Sequence, residues 1–211
     1  MLRVSTNRPS QPRLRKNFAP SDPFSLFQAW LQAAIDAGVL EPTAMTLATV
    51  SLDGKPAARM VIMRNFDQQG FCFYTDYQSR KGRELTRNPN VALIFWWPAQ
   101  HRQVRVEGVV KKLSATESDD YYHSRPLDSR LGAWVSPQSQ IIPNIEMLEM
   151  RLSELRRTYA QKAPLRPPSW GGYRVRPNLI EFWQSGPHRL HDRLCYFRES
   201  ETNWRIERLA P

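Results

Sequence analysis

The chain is poor in the residues that carry portable active-site motifs. It has two cysteines, Cys72 and Cys195, in 211 residues. Both sit in apolar, strand-like stretches without the spacing of a zinc site or a redox pair, so two buried free thiols are expected. No run reaches the roughly 18 apolar residues of a membrane-spanning helix. The nine glycines form neither of the common phosphate-cradling loops. There is no Gly-x-Ser-x-Gly elbow and no His-Glu-x-x-His helix, and no metal ligand set is expected. The stretch Met1–Lys16 is polar and Arg-rich and lacks the apolar segment of a secretory signal. With the free thiols, this makes a reducing cytoplasm the expected compartment.

Acidic residues are also in short supply. Thirty Lys and Arg face 20 Asp and Glu, giving a net charge of +10. Such a balance invites a nucleic-acid reading. The basic residues, however, are scattered, and many stand beside Ser, Thr, Gln or His. That arrangement suits several small phosphate contacts better than one polyanion groove, so no nucleic-acid partner is expected. Seven Trp, seven Tyr and nine Phe supply rings for packing or stacking. Residues 1–17 are nearly devoid of apolar side chains and read as a mobile tail that orders on ligand binding. Residues 18–211 read as one folded unit.

Asp22-Pro23 has the form of a helix start, with Asp as N-cap and Pro at the first helical position. Phe27, Trp30, Leu31, Ala34 and Ile35 follow at helical spacing, and Gly38 is a stop signal. Strands are expected over Met45–Val50, Ala58–Arg64 and Phe71–Thr75, with turns at Asp53-Gly54 and Asp67–Gly70. Ser79 caps a short helix that must end near Asn88, before Pro89. Val91–Trp97 and Gln103–Val110 read as two more strands. Ser114-Ala-Thr-Glu117 is a capping box, and Pro143 opens a helix with Leu148, Leu152, Leu155 and Tyr159 on one stripe. Tyr173–Ile206 reads as three short strands. Strands at hairpin spacing, with helices inserted rather than alternating, predict a mainly β fold with peripheral helices, a small antiparallel barrel.

Four basic groupings stand out. Arg59 and Arg64 lie five apart, which on a strand places them on opposite faces; two solvated strand-end arginines would give the same pattern. Tyr74-Thr75 and Ser79-Arg80-Lys81 bring hydroxyls and cations to a helix N-terminus, a setting that suits phosphate or an ordinary cap. Tyr121, Arg125 and Ser129 surround a His123-Ser-Arg-Pro126 turn and would also hold phosphate. Arg189, His191 and Arg193, read as one strand, share a face. Like charges there cost energy unless an anion or a carboxylate such as Asp192 or Glu181 meets them.

Together, several strings resemble one family, the pyridoxamine/pyridoxine 5′-phosphate oxidases. They are Glu41-Pro-Thr-Ala-Met45, Tyr74-Thr75, Ser79-Arg-Lys81, Arg102-Gln-Val-Arg-Val-Glu-Gly108, Tyr122-His-Ser-Arg-Pro126, Gly132-Ala-Trp-Val-Ser136 with Gln138-Ser139, Ser169-Trp-Gly-Gly-Tyr173, Glu181-Phe-Trp-Gln184, Arg189-Leu-His-Asp-Arg193 and Glu207-Arg-Leu-Ala-Pro211. They run in order from about residue 20 to the last.

The resemblance implies an FMN-binding split β-barrel and a homodimer with FMN at the subunit interface. It implies that Arg59, Thr75, Arg80 and Lys81, helped by Tyr74, hold the FMN phosphate and ribityl region. The run Met60, Val61, Ile62, Met63 and Arg64 would line the same cofactor site, and Gln103 would contact the flavin ring. Gln138, Ser139, Trp183 and Arg193 would come from the other subunit. Arg64, Tyr121, Arg125 and Ser129 would hold the phosphate of a pyridoxine- or pyridoxamine-type substrate. Arg189, Leu190 and His191 would cover the carbon being oxidised, with Arg189 and His191 as the catalytic pair. O₂ would be the electron acceptor and H₂O₂ the by-product. Arg64 departs from the Lys usual in the family, which keeps the charge but changes its geometry. Glu41, Asp in some relatives, is a lesser departure. A phenazine-type flavin oxidase and a non-catalytic flavin or pyridoxal-phosphate carrier are the competing readings.

Overall fold

A computed structural model describes residues 12–211. The first helix, α1 (Pro23–Asp36), forms where Asp22 accepts from the Phe24 and Ser25 amides at 3.1 and 2.9 Å, satisfying N–H groups that have no intrahelical partner. It buries Phe24, Phe27, Trp30, Leu31 and Ala34. Ile35, expected on the same stripe, is exposed. Gly38, at φ +69°, ends the segment in the left-handed region that favours glycine.

The strands are β1 (Ala44–Val50), β2 (Pro56–Ile62), β3 (Asn65–Asp67), β4 (Gly70–Asp76), β5 (Asn90–Trp97), β6 (Arg102–Lys112), β7 (Trp170–Gln184), β8 (Asp192–Arg198) and β9 (Trp204–Arg208). They form one antiparallel sheet in the order β2-β1-β5-β6-β7-β4-β3, with β8 on β7 and β9 on β8. The sheet branches because β7 is long. Its first part, Trp170–Val175, pairs with β4, and its last part, Leu179–Gln184, pairs with β8. Asn178 is the extra residue of a bulge opposite Glu107/Gly108. Gly108 is required at that bend: a Cβ there would lie 2.2 Å from the Arg176 carbonyl oxygen. The sheet curls until β2 approaches β4, giving the expected barrel-like, mainly β fold.

The helices are peripheral: α2 (Arg80–Arg87), α3 (Ala115–Ser124), α4 (Leu127–Val135) and α5 (Glu146–Thr158). The Ser114–Glu117 capping box is formed in full. Four expectations are corrected. The α4 helix was not anticipated. The α5 stripe is right in spacing, but Leu148, Leu152, Leu155 and Tyr159 are only half-buried, so it is no core helix. The first of the three C-terminal strands is 15 residues long, because Gly171 and Gly172 continue the ladder with β4 instead of turning. Order also begins before Phe18. The Leu14 amide donates to Asp192 at 3.2 Å, Gln184 donates to the Pro12 carbonyl at 2.8 Å, and Lys16 pairs with Glu207 at 3.0 Å. The rest of the expected tail, residues 1–11, lies outside the described residues.

Phe27 sits at the centre of the core, fully buried, with ring centroids of Phe66, Phe71 and Phe95 at 4.9, 5.0 and 4.9 Å. Truncating it removes a large buried surface and leaves a cavity that flanking rings fill poorly. Phe27→Ala should therefore cost about 3–5 kcal/mol. Urea denaturation should show a lower midpoint with the slope unchanged; a shift of under about 1 kcal/mol would mean that α1 is not part of the cooperative core.

Candidate active site

The β2–β4 approach leaves a cavity of about 350 Å³. Its wall is made by Arg59–Ile62 of β2, Arg64, Tyr74 and Thr75 of β4, Lys81 of α2, Tyr121 of α3, Arg125, Gln138 and Trp170. Four cations line it, and no carboxylate does. An adjoining cavity of about 270 Å³ shares Arg125, Gln138 and Trp170 and adds Ser129.

Arg59 and Arg64 reach the same cavity, against the expectation that they face opposite ways. The alternation rule holds only along a continuous strand. Here β2 stops at Ile62, and the Met63 and Arg64 amides turn to the carbonyls of Thr43 and Cys72. Met63 is buried in the core and is not part of the wall.

Glu84, buried in the second turn of α2, sets the position of the Arg59 guanidinium. Its Oε2 accepts from Arg59 at 3.2 Å and from the Thr49 hydroxyl at 2.5 Å, and its Oε1 accepts from Arg80 at 2.8 Å. Arg80 is thus committed to Glu84 and does not line the cavity. Burial alone would raise the Glu84 carboxyl. The hydrogen bonds from Thr49 and Arg80, with the charges of Arg59 and Arg80, outweigh it and hold the group below its ordinary value. The start of α2 is fixed by Ser79, whose hydroxyl accepts from the Gly82 amide at 3.2 Å.

The remaining cations have only neutral partners. Lys81 donates to Thr75 Oγ1 at 3.1 Å and to Gln138 Oε1 at 2.9 Å. Burial, and then the Arg59 charge, lower its proton affinity. Arg125 lies over the Trp170 ring at 4.6 Å, and its buried Nη1 has no partner among the described residues. Burial lowers this group too, with a further contribution from Arg64. Tyr74, Tyr121 and Trp170 form a stack, with the two tyrosine centroids 3.8 Å apart. Burial, assisted by nearby Cys72 and Glu117, pushes the Tyr74 hydroxyl up to about 12, so it stays protonated. Grouped cations, an orphaned guanidinium N–H and hydroxyl donors are the kinds of group to which a phosphate binds.

Other expected residues gather elsewhere. Gln103, Trp183 and Arg193 form one cross-strand row on β6, β7 and β8. Trp96 extends the row on β5, half-exposed, its ring 6.2 Å from Trp183; sequence reasoning missed it, and only its place in an apolar run hinted at a strand. His191 stands 4.7 Å from the Trp183 ring, and its Nδ1 accepts from the Gly186 amide at 3.2 Å. In the neutral ring this places the proton on Nε2.

The shared strand face expected for Arg189, His191 and Arg193 does not exist. Arg189 ends a 3₁₀ turn, Pro187–Arg189, at φ +62°, with Leu190 exposed, and His191 precedes β8. Arg193 has its own counter-ion, donating to buried Glu181 at 2.7 Å, while Arg105 takes the other oxygen at 2.6 Å. Gln138, expected to come from the other subunit, accepts from Thr75 and Lys81 of its own chain. Ser139 follows it in a turn at φ +71°. Trp170, not expected as a site residue, walls both cavities. Among the described residues no His, Cys, Asp and Glu cluster could hold a metal, and no helix is long and apolar enough to cross a membrane.

The carboxylate behind Arg59 gives a pH test. The Glu84 carboxyl ordinarily titrates at 4.5 and is lowered in the folded state. Its contribution is therefore complete above that value and is lost as pH falls through the lower folded value. Glu84→Gln should cost about 1–3 kcal/mol at neutral pH. The gap to wild type should narrow below about pH 4.5 in denaturant titrations; a gap that stays constant down to acid pH would exclude the charge as the source.

Comparison with known proteins agrees with this geometry. Residues 31–159 match the family described as pyridoxamine 5′-phosphate oxidase. Residues 170–211 match the pyridoxine 5′-phosphate oxidase C-terminal dimerisation region. A pyridoxine/pyridoxamine 5′-phosphate oxidase of Microcystis aeruginosa is 55% identical over 90% of this chain and 89% of its own length. One from Bordetella petrii is 53% identical over 94% and 93%. Among solved structures, PhzG of Burkholderia lata in complex with tetrahydrophenazine-1-carboxylic acid has a TM-score of 0.87 at 33% identity, covering 92% of this chain and 95% of that one. A pyridoxamine 5′-phosphate oxidase-related, FMN-binding protein of Nostoc punctiforme shares the fold, with a TM-score of 0.72 at 19% identity, covering 90% and 98%. On these matches and this architecture, the chain belongs to the pyridoxamine 5′-phosphate oxidase family of oxidoreductases.

Proposed function

We propose that this protein is an FMN-dependent oxidase that converts pyridoxamine 5′-phosphate and pyridoxine 5′-phosphate into pyridoxal 5′-phosphate, reducing O₂ to H₂O₂. The observation that carries the reading is the cavity walled by Arg59, Arg64, Lys81 and Arg125 with no carboxylate among them. Like charges gathered around one cavity repel one another, and a phosphate group among them offsets that repulsion. Two phosphate-bearing molecules, a cofactor and a substrate, account for so many cations at one place.

The donor set fits FMN. Arg59, Thr75 and Lys81 would hold its phosphate end, with Glu84 and Arg80 acting from behind. The flavin, when bound, would supply the redox chemistry, taking a hydride equivalent from the substrate and returning the electrons to O₂. Arg64, Tyr121, Arg125 and Ser129 would bind the substrate phosphate, with the Tyr74–Tyr121–Trp170 stack beside them as an apolar wall. His191, its Nδ1 occupied by Gly186, would present Nε2–H to the substrate amine or alcohol, and Arg189 would close over it. A reducing cytoplasm suits its two free, buried thiols.

The site needs a second copy of the chain. Trp170, in the first cavity, and Trp183, beside His191, are thirteen positions apart on β7. At the rise of a strand that is roughly 40 Å, too far for one flavin to touch both ends. A C2 dimer that sets the Gln103–Trp183–Arg193 row of one protomer against the phosphate cavity of the other makes two equivalent complete sites. The matched dimerisation region, residues 170–211, contains Trp183, His191 and Arg193. The likeness to PhzG favours one other reading, a phenazine-type oxidase with the same cofactor.

Anaerobic addition of pyridoxine 5′-phosphate to the yellow protein should bleach the flavin absorbance, and air should restore it. Bound flavin that does not bleach would leave the phenazine-type reading, and a protein that takes up no FMN would overturn both. Mixed dimers test the shared site. Lys81→Met and Arg193→Met, each inactive alone, should regain about a quarter of wild-type activity when co-expressed, because half of the dimers are mixed and each mixed dimer has one intact site. No recovery would place both residues in one subunit's site.

A further inference from the structure

We propose that the cavity between the β3–β4 turn, the middle of β7 and the β8–β9 hairpin is a second anion site, built to take a phosphate group. It encloses about 500 Å³ and shares no lining residue with the first cavity. Four cations line it, Lys111, Arg174, Arg176 and Arg198, against one carboxylate, Glu201.

Their juxtaposition follows from register. Lys111 lies opposite Arg174 across β6 and β7, and Arg176 is two residues further along the same face. Arg174 is matched locally, held by both oxygens of Asp67 at 2.7 and 2.6 Å and by Glu117 at 3.2 Å. The others are not. Arg176 meets only Glu201, at 3.1 Å, and that carboxylate is 86% exposed, where an ion pair contributes little. Lys111 makes no ion pair among the described residues.

Arg198 gives an independent pointer. Its Nε donates to the Pro177 carbonyl at 2.7 Å, its Nη1 donates to the Glu201 carbonyl at 3.0 Å, and its plane rests on Trp204 at 4.5 Å. These contacts hold the guanidinium rigid. They leave Nη2 buried, with no partner among the described residues. Burial and the neighbouring Arg176 lower the proton affinity of Arg198, the response of a cation that lacks its anion. A fixed guanidinium arm, a second arginine, a lysine and the side-chain amides of Gln68 and Gln69 at the rim match a phosphate dianion. The volume exceeds that of phosphate alone, so a phosphomonoester fits as well as the free ion.

Calorimetric titration of the FMN-saturated full chain with inorganic phosphate, and separately with phenyl phosphate, tests this. Wild type should bind one equivalent more than the Lys111→Gln/Arg176→Gln double variant, while flavin absorbance and turnover are the same in both. Equal stoichiometry and affinity in the two proteins would overturn the proposal. Arg198→Lys keeps the charge but removes the second arm, and should weaken the extra equivalent by about tenfold; unchanged binding would overturn the role of Nη2. Tighter binding of phenyl phosphate than of phosphate would identify an organic phosphomonoester as the ligand, and equal binding the free ion. If the protein takes up no FMN, the same comparison without it still reads this cavity, because the lost equivalent follows Lys111 and Arg176.

Discussion

Holding four cations against one another is the constraint that organises this molecule. Arg59, Arg64, Lys81 and Arg125 wall one cavity without a facing carboxylate, and Arg59, Lys81 and Arg125 are each stabilised from another direction. Arg59 is held from behind by Glu84, itself fixed by Thr49 and Arg80. Lys81 leans on neutral oxygens of Thr75 and Gln138, and Arg125 lies on the Trp170 ring. A carboxylate placed inside the cavity would stabilise the empty protein and compete with the phosphate. Placed behind it, Glu84 orients the guanidinium and leaves its front edge to the ligand. This explains why one α2 turn carries both charge signs: Arg80 and Lys81 start the helix, and Glu84 returns one turn later to bind the first and brace Arg59.

The second organising element is β7. Its length joins the β4 side of the barrel to the β8–β9 hairpin, and it carries functional groups at both ends. Trp170 closes the phosphate cavity, and Trp183 stands with Gln103, Arg193 and His191 at the other end. In the proposed dimer its two ends serve different ligands. On that proposal, two half-sites at the ends of one strand suit a symmetric pair, since a single rotation would complete both. The buried Glu181, bonded to Arg193 and Arg105, fixes the second half-site as Glu84 fixes the first. In both places a buried carboxylate is the hidden partner of an arginine that must be presented in one orientation.

Much of this was legible in the sequence. The Asp22 cap, the Ser114–Glu117 box, the Asp53-Gly54 turn and Pro89 are local signals, and local signals survive folding. The strand set and the mainly β architecture followed from them. Where strands end was less legible, and the errors at the site came from there. Arg59 and Arg64 were separated by an alternation rule that lapses at Ile62. Arg189, His191 and Arg193 were united by the same rule where no strand exists, because a 3₁₀ turn with left-handed residues intervenes. Such breaks are set by long-range packing, here of the Pro12–Phe18 segment and the end of β9 around Asp192. Glu84 and Trp170 were invisible as site residues for a related reason: their roles come from neighbours 25 to 96 positions away, which spacing along the chain does not encode.

The net charge illustrates the same point. A charge of +10 spread along a chain gives no direction, and a nucleic-acid groove was one arrangement compatible with it. Folding resolves the excess into separate pockets instead of a continuous stripe. Much of the remaining basic surface is matched: Arg156 by Asp128, Arg166 by Asp119, Arg208 by Asp192. Among the described residues, Arg64, Lys81 and Arg125 of the first cavity and Lys111 and Arg198 of the second make no ion pair. A duplex backbone needs evenly spaced charges on an open surface, whereas these are grouped around two separate cavities. The proposed function rests on the placement of these cations, not on their number.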